Sequence, residues 1–573
     1  MLDCAATTTP DGRVILARPD LAGAVEEVVE LAGEMFDADD KGRRGWVALL
    51  RRWAPGRGHV TVWSDDAWRD LARLEPDDEA ATRGAGAKVG AGYLVAATWG
   101  RVHLRDTRAW GVADWPLDWR DRLAAILRWR VDLARVCEGL GAPARGTAAA
   151  WVHEAWRGSA PAWRTPAYAD TGTLDRWRAG LYGARCGWRP RRPEDAEATP
   201  GARGAAFPGW WGGLIVEAGA KLPALHGPTG APVLRLRPGW TLRRYDVRSA
   251  YPWAWSLGAF PRVHRPPLLD TGADVLARAG LVDATVRAPT SGAPRLPVHV
   301  GRYGRIKPAD LGRRQPCRTD WPESTGFTVR GLYLCSTLRE VVRAGGAVEA
   351  IHAAETWPEV YDCAGGFADQ LHAAMRATAS PEVRASLKAG ERRIYGRFAA
   401  DRRDGTWRDI RSEAVGIAPA GGWTWRGGVT RRGVYVYQEI DAPEYPVHAQ
   451  PLWAAEITAR CAIALSRAED EIEASGARTV YADTDSLLVA HPADWTPPAR
   501  FTRAPDSLGG WREDWRGRWV YLAGAKWYVL EGRSPVLAGV PSEAANDLAR
   551  FGEARALMSG VERRWRWPQW HDE

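Results

Sequence analysis

A chain of 573 residues is long enough for several domains with well-buried cores. Its composition, 45% hydrophobic and 26% charged, is that of a folded protein and excludes wholesale disorder. Lys and Arg total 78 against 70 acids, and the resulting +8 suits a polyanionic partner. The cysteines Cys4, Cys137, Cys186, Cys317, Cys335, Cys363 and Cys461 are scattered, with no CxxC pair. That argues against a zinc ribbon or iron–sulfur cluster and for a reducing compartment. The first residues lack a secretory pattern and no long apolar run occurs, so a cytoplasmic location and no membrane partner are expected. There are 33 Trp, several beside Arg as in Trp129-Arg130, Trp177-Arg178, Trp511-Arg512 and Trp565-Arg566. We read them as packing residues with snorkelling Arg neighbours rather than as base-stacking platforms.

In chain order, residues 60–63 and 92–98 are strand candidates. Over 119–140, Leu123, Ile126, Leu127, Leu133, Ala134 and Cys137 recur at helical spacing and mark an amphipathic helix. Residues 187–204 are polar and Pro-rich, as in a linker. A strand over 242–247 runs into Arg248-Ser249-Ala250-Tyr251-Pro252, and 262–330 reads as an irregular insertion with short strands. Ser380 caps a helix over 381–397, with Pro381 at its first position and Gly390 weakening its middle. Residues 402–432 are turn-rich, a helix follows over 452–474, and 479–489 reads as a hairpin.

The strongest chemical signal is Tyr481-Ala482-Asp483-Thr484-Asp485-Ser486, an acidic turn held between apolar flanks. Two carboxylates this close repel unless a cation lies between them, and hard divalent ions take such oxygen ligands. Upstream, Asp246 ends a buried strand, from which it could join Asp485 around a metal pair. Tyr251 follows close behind, where its ring could floor a sugar pocket. On the helix from Pro381, Arg384, Lys388 and Tyr395 share one face, which suits a triphosphate with a base or sugar beside it.

Together these segments resemble the family B DNA polymerases of the compact viral, protein-primed type. The family motif DxxSLYP reads here as Asp246-Val247-Arg248-Ser249-Ala250-Tyr251-Pro252, with Ala250 in place of Leu, and YxDTDS is complete as Tyr481 to Ser486. The resemblance implies that Asp246 and Asp485 are the principal Mg2+ (or Mn2+) ligands, that Asp483 is an auxiliary catalytic carboxylate and further metal ligand, and that Tyr251 excludes a ribose hydroxyl. The family's KxxxNSxYG is matched at Lys388, Tyr395 and Gly396, but Arg392 and Arg393 replace its Asn and Ser. Lys388, Tyr395, Arg384 and Arg376 are then the nucleotide-binding residues. Trp210-Trp211-Gly212-Gly213 is similar to the YxGG element, and Lys526-Trp527-Tyr528 to the KxY element. Gly212, Gly213, Lys526 and Tyr528 are thereby implied in DNA binding.

The proofreading motifs are another matter. Cys4 and Ala6 stand at the two acidic positions of the family's DxE, anchored by Thr7-Thr8-Thr9, and Ile126 and Arg130 replace the Tyr and Asp of YxxxD. Such residues supply no hard oxygen ligand, so the domain is expected to be inactive, with Arg128 and Arg130 free to meet phosphates.

The implied fold is α+β: a right-hand polymerase (palm, fingers, thumb) preceded by an α/β exonuclease-like domain. The expected division is an exonuclease-like domain over 1–190, the start of the palm over 191–261, and an insertion over 262–355. Fingers over 356–400, palm over 401–528 and a thumb or C-terminal region over 529–573 complete it. The insertion sits where relatives contact a priming protein. The reading is a DNA polymerase acting on DNA primer-template and deoxynucleoside triphosphates without proofreading. A template-independent or repair nucleotidyltransferase, kept open by Arg392 and Arg393, and a non-catalytic nucleic-acid-binding protein are the alternatives.

Overall fold

A computed structural model describes residues 2–20, 24–31, 45–53, 59–67, 70, 88–90, 93–99, 102–112, 114–141, 165–182, 186–188, 233–235, 239–301, 304–305, 318–322, 324–362, 366–400, 403–410, 423–424, 429–430, 433–446, 449–524, 527–533 and 536–537. The chain forms two compact units. One gathers Met1–Leu174, Trp255–Gly258 and Asp362–Ala454; the other gathers Asp175–Ala254, Ala259–Tyr361 and Ala455–Glu573.

In the first unit, Leu2–Thr8 is an interior strand of a seven-stranded sheet, beside the central strand Val60–Ser64. It runs parallel to Val60–Ser64, which runs parallel to Val102–Asp106, and antiparallel strands extend both edges. Both faces of the centre are covered, so Cys4 through Thr8 are all buried rather than alternating. Trp46, Val47 and Leu50 of the helix Gly45–Trp53 cover one face. The helix Trp119–Gly139 also packs against Leu2–Thr8, and the Asp118 carboxylate caps its start by accepting from the Arg120 and Asp121 N–H groups. Tyr93–Trp99 supplies the other expected strand.

The same unit holds the packed helices Phe367–Ala377 and Pro381–Phe398. The expected cap is present, with the Val383 N–H donating to Ser380 Oγ at 3.2 Å, and the helix passes through Gly390 without a break. Residues 402–432 are not simply turns. Arg403–Ile410 is a strand paired along Gly433–Glu444, and its charged residues and Gly405 hide the period-2 pattern in the sequence.

The second unit is built on a five-stranded antiparallel sheet. Its order is Trp511–Gly517, Trp240–Val247, Ser486–Pro492, Arg478–Asp483, Cys186–Trp188. Gly187 and Trp188, expected in a linker, therefore belong to an edge strand. The insertion is also more regular than its Pro, Gly and Arg content suggests. Ala279–Arg287 is the middle of a three-stranded sheet between Thr328–Leu334 and Ala347–Trp357, backed by the helix Cys335–Arg343. Trp129, Trp177 and Trp511 are buried, as the packing reading expects, but of their Arg neighbours Arg130 is buried rather than snorkelling; Trp565 lies outside the described residues. Among the described residues no helix is long and apolar enough to cross a membrane.

Glu340 on the Cys335–Arg343 helix ties this insertion to the long helix Pro451–Ala474. It accepts from Arg295 at 3.2 Å, Arg343 at 2.5 Å and Arg467 at 2.7 Å, while Arg295 also pairs with Asp470. Burial works against its charge, but the three guanidinium groups prevail and hold its pKa down from 4.5 to about 2. This stabilisation is present above pH 4.5 and is lost as the pH falls toward 2. Removing the carboxylate takes from the buried Arg295 one of its two acidic partners, while Arg343 and Arg467 are half-exposed, so Glu340→Ala should cost about 2 kcal/mol near neutral pH. Denaturant unfolding from neutral to acid pH checks this; a variant as stable as the parent near neutral pH contradicts it.

Candidate functional site

The two acidic motifs, far apart in sequence, meet at one end of the five-stranded sheet. Trp240–Val247 runs antiparallel to Ser486–Pro492 with Asp246 directly opposite Ser486. The Val247 N–H donates to the Asp485 carbonyl at 2.8 Å and closes the ladder beside the acidic turn. Asp246 therefore ends its strand where the hairpin turn presents Asp483 and Asp485. The turn is tight: Asp483 pairs with Ser486, the Asp485 N–H donates to the Asp483 carbonyl at 2.5 Å, and Thr484 sits at φ 60°. Ser249, three residues after Asp246, has φ 51° and begins the turn into the helix Ala250–Ser256. Left-handed backbone at a β-branched Thr and at a Ser is strained, and both strained residues flank the carboxylates.

Asp483 is the buried member of the set. It accepts from the Tyr528 hydroxyl at 3.3 Å and from Thr484 Oγ1 at 3.2 Å. Tyr528 itself is buried and stacks edge-on against Tyr481 with ring centroids 5.6 Å apart. Burial pushes the Tyr528 phenol up, Arg244 opposes this and Asp483 adds to it, so the phenol stays a donor. Asp246 and Asp485 are only partly buried.

Arg244 was not singled out by its motif, although period-2 alternation places it on the same strand face as Asp246. Its guanidinium lies 3.9 Å from Asp246 and 3.0 Å from Asp514, and donates to Ser486 Oγ at 3.2 Å. Burial disfavours its charge, but Tyr528, Asp514, Asp246 and Asp483 outweigh that and raise its pKa. Arg244 also lines an open cleft of about 630 Å³ with Arg512, Glu513, Asp514, Trp515, Leu530, Arg533 and Val536.

Asp246 and Asp485 are hard oxygen donors at one sheet end, the donor chemistry that Mg2+ or Mn2+ takes. Among the described residues no three His, Cys, Asp or Glu side chains form a metal-binding group, so the fit rests on this pair. Tyr251 is partly buried in the first turn of the Ala250–Ser256 helix, in the same unit. Arg376, Arg384, Lys388 and Tyr395 belong to the other unit, with Arg384 and Lys388 exposed and Tyr395 partly buried. Gly212, Gly213 and Lys526 lie outside the described residues.

At the N-terminal sheet, Cys4 and Ala6 are fully buried in an apolar cluster with Trp46, Leu50 and Val62. Burial pushes the Cys4 thiol up, further from a ligating thiolate. Carboxylates do occur nearby, but each is engaged. Asp3 pairs with Arg130 at 3.1 Å and accepts from Trp63 at 2.9 Å; Asp65 pairs with Arg122 at 3.0 Å. Asp66 and Asp106 share Arg108 at 3.2 and 2.6 Å, and Asp70 accepts from Thr8 at 2.8 Å and Ser64 at 2.5 Å. Arg130 was expected to meet phosphates; it is instead buried against Asp3 and the Trp63 ring. Arg128 is exposed as expected.

These elements define an α+β right-hand polymerase fold, with palm, fingers and thumb preceded by an α/β exonuclease-like domain. The particular likeness is to Phi29 DNA polymerase. Its complex with primer-template DNA and incoming nucleotide substrates aligns over 92% of this chain and 86% of that one, at a TM-score of 0.58 and 12% identity. Its complex with single-stranded DNA aligns over 95% and 93% at a TM-score of 0.55 and 11% identity. The resemblance to family B polymerases read from the motifs is thus borne out in the fold. No protein-family model and no curated protein sequence matches the chain.

Proposed function

We propose that the protein is a DNA-directed DNA polymerase that extends a primer 3′ hydroxyl with deoxynucleotides and does not proofread. The observation that carries this reading is the register placing Asp246 and Asp485 at one end of the sheet, joined by the bond from the Val247 N–H to the Asp485 carbonyl. Asp246 and Asp485 would hold the Mg2+ or Mn2+ ions. When bound, such ions supply charge stabilisation to the attacking and leaving oxygens of phosphoryl transfer. Asp483, held by Tyr528 and Thr484, keeps the turn in the shape that aims Asp485. Arg244 offsets the repulsion among these carboxylates and fixes Ser486. Tyr251 screens the sugar, while Arg376, Arg384, Lys388 and Tyr395 hold the triphosphate and base. The cleft with Arg244, Arg512 and Arg533 offers cations to the primer backbone, and Tyr528 supports the primer end through Asp483. Gly212, Gly213 and Lys526 complete the proposed DNA contacts. A priming protein is proposed only as a partner for the insertion.

Primer extension tests the central assignment. Asp246→Asn and Asp485→Asn should each lower extension by at least about 1000-fold while leaving primer-template binding within a few-fold, because an amide is a poor substitute for a charged ligand. Near-normal extension by either variant contradicts it. In the same assay Tyr251→Val should admit ribonucleotides that the parent rejects; a parent that uses both sugars equally removes that role.

The proposed lack of proofreading is supported by the buried Cys4 and Ala6 and by the engaged carboxylates around them. A mismatched primer incubated with Mg2+ or Mn2+ and no nucleotides should keep its length. Progressive shortening that survives Asp485→Asn but is lost in Asp65→Ala or Asp70→Ala would show a working exonuclease.

A further inference from the structure

The helix Pro381–Phe398 carries three distinct faces, as its burial shows at about 100° per residue. Val383, Leu387, Ile394 and Phe398 are buried on one. Arg384, Lys388 and Tyr395 form a second. The third, with Ala385, Ser386, Ala389 and Arg393, lies roughly opposite the basic face, and it is gripped by the N-terminal domain of the same unit. Trp129 Nε1 donates to Ser386 Oγ at 2.9 Å, both side chains being buried. The Arg393 guanidinium donates to the Ala109 carbonyl at 2.5 Å. Gly111 ends the short turn Thr107–Trp110 with φ +84°, and a Cβ there would lie 2.7 Å from Ala389 Cβ and 3.1 Å from the Ala385 carbonyl.

The gripping surface is itself a packed cluster of rings. Trp129 meets Trp63 and Trp115 edge-on at 5.3 and 5.9 Å, and Trp63 meets Trp110 at 6.4 Å. Arg393 is one of the two residues by which this helix departs from its motif. Its guanidinium holds the N-terminal domain, on the side of the helix away from Lys388.

We infer that the N-terminal domain acts as a brace for this helix, and that Arg393 is a positioning residue which sets nucleotide affinity through it. The inference rests on the proposed polymerase reading, in which the basic face binds the triphosphate. A helix held from behind presents Arg384 and Lys388 in fixed register, whereas a released one spends binding energy on ordering them. The domain is then retained for geometry although its carboxylate chemistry is gone.

The test uses the full chain. Nucleotide KM and kcat are measured in templated extension for the parent, Arg393→Ala, Arg393→Lys and Gly111→Ala, with hydrogen exchange followed over 381–398. Arg393→Ala should raise KM on the order of 10-fold with kcat little changed, and should speed exchange in the helix. Arg393→Lys, which keeps a donor for the Ala109 carbonyl, should recover most of the loss. Gly111→Ala, which removes no charge and stands in the other partner, should raise KM in the same way. A KM raised by Arg393→Ala but not by Gly111→Ala would mean that Arg393 touches nucleotide directly and overturns the brace. Unchanged KM and exchange in both variants of an active parent also overturn it. A parent that extends no primer defeats the polymerase reading, and the brace with it.

Discussion

The proposed metal site of this protein depends on one strand pairing. The segment Trp240–Val247 lies antiparallel to Ser486–Pro492, and a shift by one residue would turn Asp246 to the opposite face of the sheet. The register is secured from both sides. Leu242 packs in the apolar cluster with Val480, Leu488 and Ala490, and Trp511–Gly517 pairs along the other edge of the strand. Two strained residues then turn the chain, Ser249 three residues after Asp246 and Thr484 between Asp483 and Asp485. The surrounding sheet over-determines both turns, which is how such backbone persists.

In the N-terminal domain the interior answers its acids with partners of their own. Asp3, Asp65, Asp70 and Asp106, around its parallel strands, are each held in a hydrogen bond or ion pair with Thr7, Thr8, Ser64, Arg108, Arg122 or Arg130. A buried acid without a partner is costly, so acids that serve no ion persist only where the interior answers them. Arg130 illustrates this: its buried guanidinium pairs with Asp3 inside the domain.

The candidate site was more legible in the sequence than the architecture around it. YADTDS and the segment from Asp246 to Pro252 are contiguous, so residue order alone exposes them. The helix Pro381–Phe398 was equally plain, because Ser380, Pro381 and the apolar spacing agree. Long-range pairing was not readable. Arg403–Ile410 becomes a strand only because Gly433–Glu444 lies beside it, and the insertion sheet depends on three segments separated by loops and a helix. Arg244 and Arg393 were missed as structural partners for the same reason, since Asp514 and Ala109 are distant in the chain. Arg130 was misread because a charge in a helix pattern looks exposed until its buried partner is known.

The account's central claim is that Asp246 and Asp485 together hold the catalytic metal. Crystals of the protein with primer-template, Mn2+ and a non-hydrolysable deoxynucleotide, measured at the manganese absorption edge, address it directly. Anomalous density within about 2.5 Å of carboxylate oxygens from both residues is the predicted result. Manganese bound elsewhere on the chain, with neither carboxylate among its ligands, would contradict it.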